Sequence, residues 1–312
     1  MRESEQTRVV VGVAPTRHHD AALEYAAAEA GRRGVGVHVV LVRHPHWPGP
    51  DALVDVELVG DDLVNAETAL LMQCEDRLEE WTGDAVPVTT EVAHGGVVPS
   101  LVAAAHGSEL VVLQHHRMSR PHHLPTRSVT NRVAARVSVP VVAIPEDWHE
   151  AAPNDAPVVA AIENAALSGH VAELALAGGR RTASEVHLLR AWSYADDLAL
   201  DDPVFRTATT EEWEAHLRTV LECELSGLMA GYPDVPSLVR VVHGQPAYVL
   251  ARITALSRLL VIGRHECTLP HGSHLGPVTR VVLAHGRCPV MVVDAGPVHA
   301  GPIHAGQVHA GS

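Results

Sequence analysis

The chain has 312 residues, with 37 Asp or Glu against 23 basic residues that are all arginine, and its formal charge is −14. The charge is shared evenly, with 20 acids and 12 arginines through His149 against 17 and 11 after it. No basic half exists to neutralise phosphates, which excludes general nucleic-acid binding. The absence of lysine excludes a Walker-type phosphate loop. The four cysteines, Cys74, Cys223, Cys267 and Cys288, form no CxxC pair, the first residues MRESEQTR lack the apolar core of a secretory signal, and the apolar runs are too short to span a bilayer. A cytoplasmic protein with free thiols is expected.

In chain order, residues 8–13 form a continuous β-branched run, as expected of a parallel strand buried on both faces. Residues 18–33 are Ala-rich and helix-prone and end at Gly34. Residues 35–42 are the second strand. A loop rich in Pro follows, and Asp61 and Asp62 offer helix N-caps at its end. Leu63, Leu70, Cys74, Leu78 and Trp81 recur at helical spacing and predict one buried face. Further strands are predicted at 87–92, 110–113 and 139–144, with helices at 99–107 and 128–137.

A shift of 149 residues then superposes the chain on itself without a gap: Val9 and Val10 fall on Val158 and Val159, Glu24 on Glu173, His38 on His187, Gly95 on Gly244 and Pro140 on Pro289. A repeat this long means two whole domains, since stacked-repeat architectures use periods of roughly 20 to 50 residues. In the second copy Thr209 and Glu212 form a capping-box signature for a long helix with apolar positions Trp213, Leu217, Val220, Leu221 and Leu228. The boundaries read as domain 1 at 1–149, a linker at 150–157, domain 2 at 158–295 and a His-Ala-Gly tail at 296–312. Strands alternating with helices predict an α/β fold with parallel sheets, right-handed crossovers and helices on both faces.

The stretch 259–294 carries the most information. An apolar strand run ends at Gly263, a polar loop leads to Gly276, a short helix follows, and Cys288, Pro289 and Val290 open a last apolar strand. With this loop the sequence resembles the universal stress protein family, whose mark is Gly, two residues, Gly, nine residues, Gly and then Ser or Thr, closed by a Pro-Val strand. The resemblance covers both copies and excludes the linker and tail. It implies two tandem adenine-nucleotide-alpha-hydrolase-like (Rossmann-like) domains, each a five-stranded parallel sheet. It also implies a ligand site where the loops after the first and fourth strands converge, the switch point at which such sheets bind ligands. In nucleotide-binding members an Asp in the first loop holds the nucleoside, and the glycine loop wraps the phosphates.

The two copies depart from that pattern differently. In the first, Ala14 stands at the Asp position, Gln114, Arg117 and Arg127 replace the three glycines, and Ser128 alone remains of the motif. Three long side chains then lie across the phosphate path. A different anion site built from Arg117, Arg120 and Arg127 with His115, His116, His122 and His123 competes with the plainer reading of a solvated loop. In the second copy Glu163 keeps a carboxylate at the Asp position, Asn164 follows, and Gly263 and Gly276 remain with His265 between them. Glu266 replaces the middle glycine and brings negative charge toward a phosphate, a repulsion of roughly 1 to 4 kcal/mol at a partly exposed site. Pro277 replaces the Ser or Thr and removes an amide donor, although proline suits the first position of a helix. The candidate nucleotide-binding set is Ala161, Ile162, Glu163, Asn164, Ile262, Gly263, His265, Gly276 and Val278, with ATP and magnesium as the candidate ligand.

The 23 histidines include His38 and His187 in second strands, where the family commonly has one. Pairs such as His18 with His19 could titrate near neutrality. No His, Cys and carboxylate spacing resembles a zinc signature, so no metal site is expected. His299, His304 and His309 recur in a small-residue tail that cannot bury a core. Ser128 has no positioned base legible in sequence, and Cys267 has His265 and His271 near it but no third orienting group, so no catalytic residue is expected.

These readings leave three functions. One is a non-catalytic stress-response regulator or adaptor with at most one weakened adenine-nucleotide site in the second domain. Another is a nucleotide-independent structural or protein-interaction module in which both sites are lost. The third is a slow ATPase, for which only Glu163 and Glu266 could serve as carboxylates. The fifth strands are apolar edges that must be covered. The resemblance implies that they pair antiparallel between the copies as an internal pseudo-dimer, and a homo-oligomer through the same edges is expected as well, with a regulatory protein as further partner.

Overall fold

The structure, a computed structural model, describes residues 7–15, 19–43, 56–115, 128–150, 155–193, 209–264 and 275–296, with the side chains of 56–61, 63 and 84 left aside. The first half runs β1 (Arg8–Val13), α1 (Asp20–Arg33), β2 (Gly36–Arg43), α2 (Val56–Thr82), β3 (Val88–His94), α3 (Val97–Ala104), β4 (Leu110–His115), α4 (Val129–Ala134) and β5 (Val141–Pro145). The second repeats it as β6 (Val158–Ala161), α5 (Ala165–Thr182), β7 (Val186–Trp192), α6 (Thr210–Ala230), β8 (Ser237–His243), α7 (Pro246–Ile253), β9 (Leu259–Arg264), α8 (Pro277–His285) and β10 (Val290–Asp294). All ten strands join one sheet in the order β3-β2-β1-β4-β5-β10-β9-β6-β7-β8.

Within each half every pairing is parallel, and in each half the order reverses between the first and fourth strands. The apolar runs explain the central strands: Val9, Val10, Val11 and Leu110 to Val112 are wholly buried, with one apolar layer on either face of the sheet. The outermost strands β3 and β8 alternate between buried or half-buried and exposed residues instead, as expected where one face meets water. α1 ends where the sequence predicts, because Gly34 takes the left-handed conformation (φ 68°) and its amide bonds to Ala30 O. The Thr209 and Glu212 capping box forms with both bonds present.

β5 and β10 pair antiparallel through Val141↔Val292, Val142↔Met291 and Ala143↔Val290, so the expected internal pseudo-dimer is present. The same pairing corrects the expectation of a homo-oligomer through these edges. Each fifth strand already has a neighbour on both sides, and a second chain finds no edge there.

Two further details differ from expectation. α2 starts at Val56, placing Asp61 and Asp62 inside the helix. Both positions lie past the first turn, whose open amides a cap serves, and so do not mark the helix start. On the predicted face Cys74 and Leu78 are buried and Leu70 is half-buried, but Trp81 is 39% exposed. It stands at the last turn of the helix, with the Arg77 guanidinium 6.0 Å from its ring centre; the side chain of Leu63 lies outside the described residues.

Candidate functional site

Parallel strands deliver their exit loops to one end, so the β1 and β4 exits meet at one switch point and the β6 and β9 exits at the other. In the first half, side chains among the described residues already engage backbone groups at that end. The Gln114 amide oxygen lies 3.4 Å from the Ala22 amide nitrogen and accepts its bond. Ala22 is in the first turn of α1, so an amide that could face an anion already has a partner. His19 is buried, and its Nε2 lies 2.8 Å from both the amide nitrogen and the carbonyl oxygen of Ala14. That ring ties down the loop where the Asp would stand. Ser128 caps α4, accepting from the Asn131 amide at 3.4 Å. Arg117 and Arg127, with Arg120, His116, His122 and His123, lie outside the described residues.

At the second switch point Gly263 stands where Gln114 stands in the first. β6 pairs β9 through Val158↔Leu259, Val159↔Leu260 and Ala160↔Val261, which brings Ala161, Ile162 and Glu163 alongside Ile262 and Gly263. Ile162 and Ile262 are buried, and the Ile162 amide bonds to Leu189 O at 2.8 Å. α8 docks on the same end: the buried Thr279 hydroxyl donates to Gly263 O at 3.2 Å. Gly276 is the N-cap of α8 and Pro277 its first residue, so Val278 and Thr279 carry the next amides at that helix end. These contacts set Ala161 and Ile162 beside Ile262 and Gly263, with the α8 end at Gly276 and Val278 tied to Gly263 through Thr279 and with Glu163 and Asn164 on the β6 exit; His265 lies outside the described residues together with Glu266, Cys267 and His271.

Two side chains have local duties that the sequence does not make evident. Asn164 is the N-cap of α5, its Oδ1 accepting from the Leu167 amide at 2.9 Å. The Glu163 amide donates to the Ser168 hydroxyl at 3.0 Å, holding the exposed Glu163 at the mouth.

Gly263 lets another segment approach closely. A Cβ there would lie 3.2 Å from the Ala295 Cβ and 3.5 Å from a Val171 methyl. Gly296 O accepts from the His170 amide at 3.1 Å, so the exit of β10 crosses above Gly263 and ties to α5. Arg264 is buried and pairs with Asp294 at 3.1 Å. Sequence reading misses both Arg264 and this crossing segment, and the one available signal is the small pair Ala295 and Gly296, which alone fits over a glycine.

Among the described residues no group of three or more His, Cys, Asp or Glu is placed to hold a metal, and no helix is long and apolar enough to cross a membrane. Of the described cysteines, Cys74 and Cys288 are buried and their thiols are pushed up by burial, to about 11 and about 12. Neither is available as a nucleophile near neutrality.

The family model described as "Universal stress protein family" matches residues 6–145 and 156–294. A universal stress protein of Mycobacterium tuberculosis is 31% identical over 300 residues, covering 91% of this chain and 94% of the relative. One of Mycolicibacterium smegmatis is 28% identical over 289 residues, covering 91% and 96%. The crystal structure of a universal stress protein from Archaeoglobus fulgidus superposes with a TM-score of 0.67 at 16% identity, covering 94% of this chain and 98% of that one. At that identity the superposition speaks for the fold alone.

Proposed function

The chain belongs to the universal stress protein family, and from that premise we propose that it is a non-catalytic stress-response regulator or adaptor of the cytoplasm whose second domain alone keeps an adenine-nucleotide site. The domains are taken as 1–149 and 158–295. One observation carries the reading, the asymmetry of the two switch points. Where the first half places the Gln114 side chain on a helix-terminal amide, the second has Gly263, which carries no side chain at that position.

The residues that would hold the nucleotide are Glu163 toward the nucleoside and the backbone around Gly263, Gly276, Val278 and Thr279 toward phosphate. The amides at the α8 N-terminus suit an anion, and no acidic residue lies in its first turn. Pro277 takes one donor away, which weakens the site without harming the helix. Magnesium, where bound with ATP, would neutralise phosphate charge that Glu266 otherwise repels.

One observation favours the nucleotide-independent reading: Ala295 and Gly296 already cross over Gly263. Calorimetric titration with ATP and AMP, with and without magnesium, separates the two. We expect one site per chain in the parent and its loss in Gly263→Gln, which copies the first half. A parent that binds no adenine nucleotide ends the nucleotide reading and leaves an interaction module.

A further inference from the structure

A cavity of about 210 Å³ lies between the two halves, away from the second switch point. Its walls come from the amino ends of β6, β9 and β10 through Val158, Leu259 and Cys288, from α1 and α5, and from the segment after β5. That is the end of the second-half strands opposite to their exit loops. Four arginines line it, Arg32, Arg181, Arg258 and Arg287, against two carboxylates, Glu29 and Glu150. In a chain of charge −14 without lysine, an excess of guanidinium around one cavity is unusual.

The carboxylates are already engaged. Arg32 bonds to Glu29 at 3.3 Å and to Glu150 at 2.5 Å, Arg33 to Glu29 at 2.9 Å, and Arg258 reaches Glu150 at 3.6 Å. Glu24 stands behind them, taking the Glu150 amide at 3.1 Å and facing His149 at 3.6 Å. Arg181 makes no hydrogen bond and no ion pair among the described residues, and its Nε, like that of Arg258, is buried without a partner. Burial and the Arg33 charge hold the Arg181 guanidinium below its ordinary value, the mark of a cation short of compensation. Arg287 is exposed and its side chain is also unpaired among the described residues; only its amide is held, by the Thr254 hydroxyl at 3.0 Å.

The internal repeat supplies a control. Shifted by 149, Arg258 falls on Glu109 and Arg287 on Ser138, while Thr182 falls on Arg33. At the mirror corner Arg33 and Glu109 neutralise one another at 3.2 Å. Here the same two positions hold Thr182 and Arg258, so cationic charge has been concentrated at one corner only.

We propose that this cavity is a binding site for a small, multiply charged oxyanion, whose phosphoryl or carboxylate oxygens are taken by Arg181 and Arg287 with Arg258 behind them. Guanidinium forks bind both oxygen geometries bidentately. The volume lies below the roughly 300 to 1,000 Å³ of sites for drug-sized ligands, so a phosphate, a pyrophosphate or a compact tricarboxylate fits, and a whole nucleotide does not. The Tyr25 and Trp148 rings, 5.4 Å apart and edge-on, give the cavity an apolar side that keeps the charged contacts strong.

The test titrates the full chain with inorganic phosphate, pyrophosphate and citrate at matched ionic strength, followed by calorimetry and thermal shift. The expected result is saturable binding at one site per chain with a raised thermal midpoint, and the tightest of the three distinguishes a phosphoryl from a carboxylate ligand. Arg181→Gln should weaken it about tenfold, the loss of a charge-assisted contact at a poorly solvated site. Arg287→Ser, which copies the mirror residue at an exposed position, should weaken it about threefold and keeps the test valid if the first variant does not fold. No saturable uptake of any of the three anions, or unchanged affinity in every variant that folds, overturns the assignment.

Discussion

Replacing Glu29 by Gln tests the charge cluster between the halves. Glu29 is 5% exposed and accepts from Arg33 Nε at 2.9 Å and Arg32 Nη1 at 3.3 Å. Burial alone pushes its carboxyl up, but Arg33, Arg181 and Arg32 together outweigh burial and hold it below its ordinary value. Removing one member of a buried ion network costs about 3 to 5 kcal/mol. Because Arg32 keeps Glu150 and Arg33 keeps Glu109, neither guanidinium is stranded, and the lower figure of about 3 kcal/mol applies. At 2 to 4 °C per kcal/mol that is a fall in thermal midpoint of about 6 to 12 °C.

The pH dependence fixes the sign. A carboxyl with a folded pKa below its unfolded value, about 4.3, contributes stability that is fully present above that value and lost as pH falls through the folded one. The gap between parent and Glu29→Gln, measured by urea unfolding from pH 7 to pH 3, should therefore be full at neutrality and shrink below about pH 4. A gap under about 1 kcal/mol at pH 7, the worth of an exposed pair, or one that persists unchanged in acid, would refute the reasoning.

Three other outcomes follow from single groups. Thr209→Ala removes the acceptor of the Glu212 amide (3.3 Å) and should lower stability by about 1 kcal/mol in urea unfolding. Iodoacetamide at pH 8 should label the exposed Cys223 in the folded protein, and reach Cys74 and Cys288 only after denaturation, because burial raises both thiols to about 11 and about 12; peptide mass spectrometry reads this directly. His38 should titrate below the usual imidazole value in NMR, since burial and Arg8 outweigh Glu91 at 3.1 Å. Its contribution to stability is then present above about pH 6.5 and lost as pH falls.

Strand positions were legible because β-branched runs at 8–13 and 110–113 have few other uses, and the gapless 149-residue register doubled each signal. Helix faces were less so. On α6, Trp213, Leu217 and Leu221 are buried as their spacing predicts, but Val220 is 37% exposed and Leu225 completes the buried ridge instead. A 21-residue helix offers two apolar stripes, and only packing chooses between them. At the candidate site the directions of the side chains were not legible. Gln114 could equally have pointed to solvent, and Asn164 could have faced a ligand, whereas one bonds to Ala22 and the other caps α5. Least legible was the Glu29 cluster, whose contacts join Arg32 to Glu150 of the linker across 118 residues. No periodicity encodes such a pair.

The joined sheet explains why the halves can differ so much. Two separate chains that paired their fifth strands would carry identical residues at both switch points and both corners. A tandem chain escapes that constraint. The seam through Val142 and Met291 closes at the high effective concentration of a short linker, so it stays formed while each half changes independently. The first half could then place Gln114 across its switch point while the second kept Gly263. Arg258 and Arg287 could arise at one corner while Glu109 and Ser138 remained at the other. A like change in a homodimer would appear twice, doubling any electrostatic strain near the seam. The Gln114 contact at one switch point and the arginine-rich lining at one corner are thus two differences that the same covalent join permits.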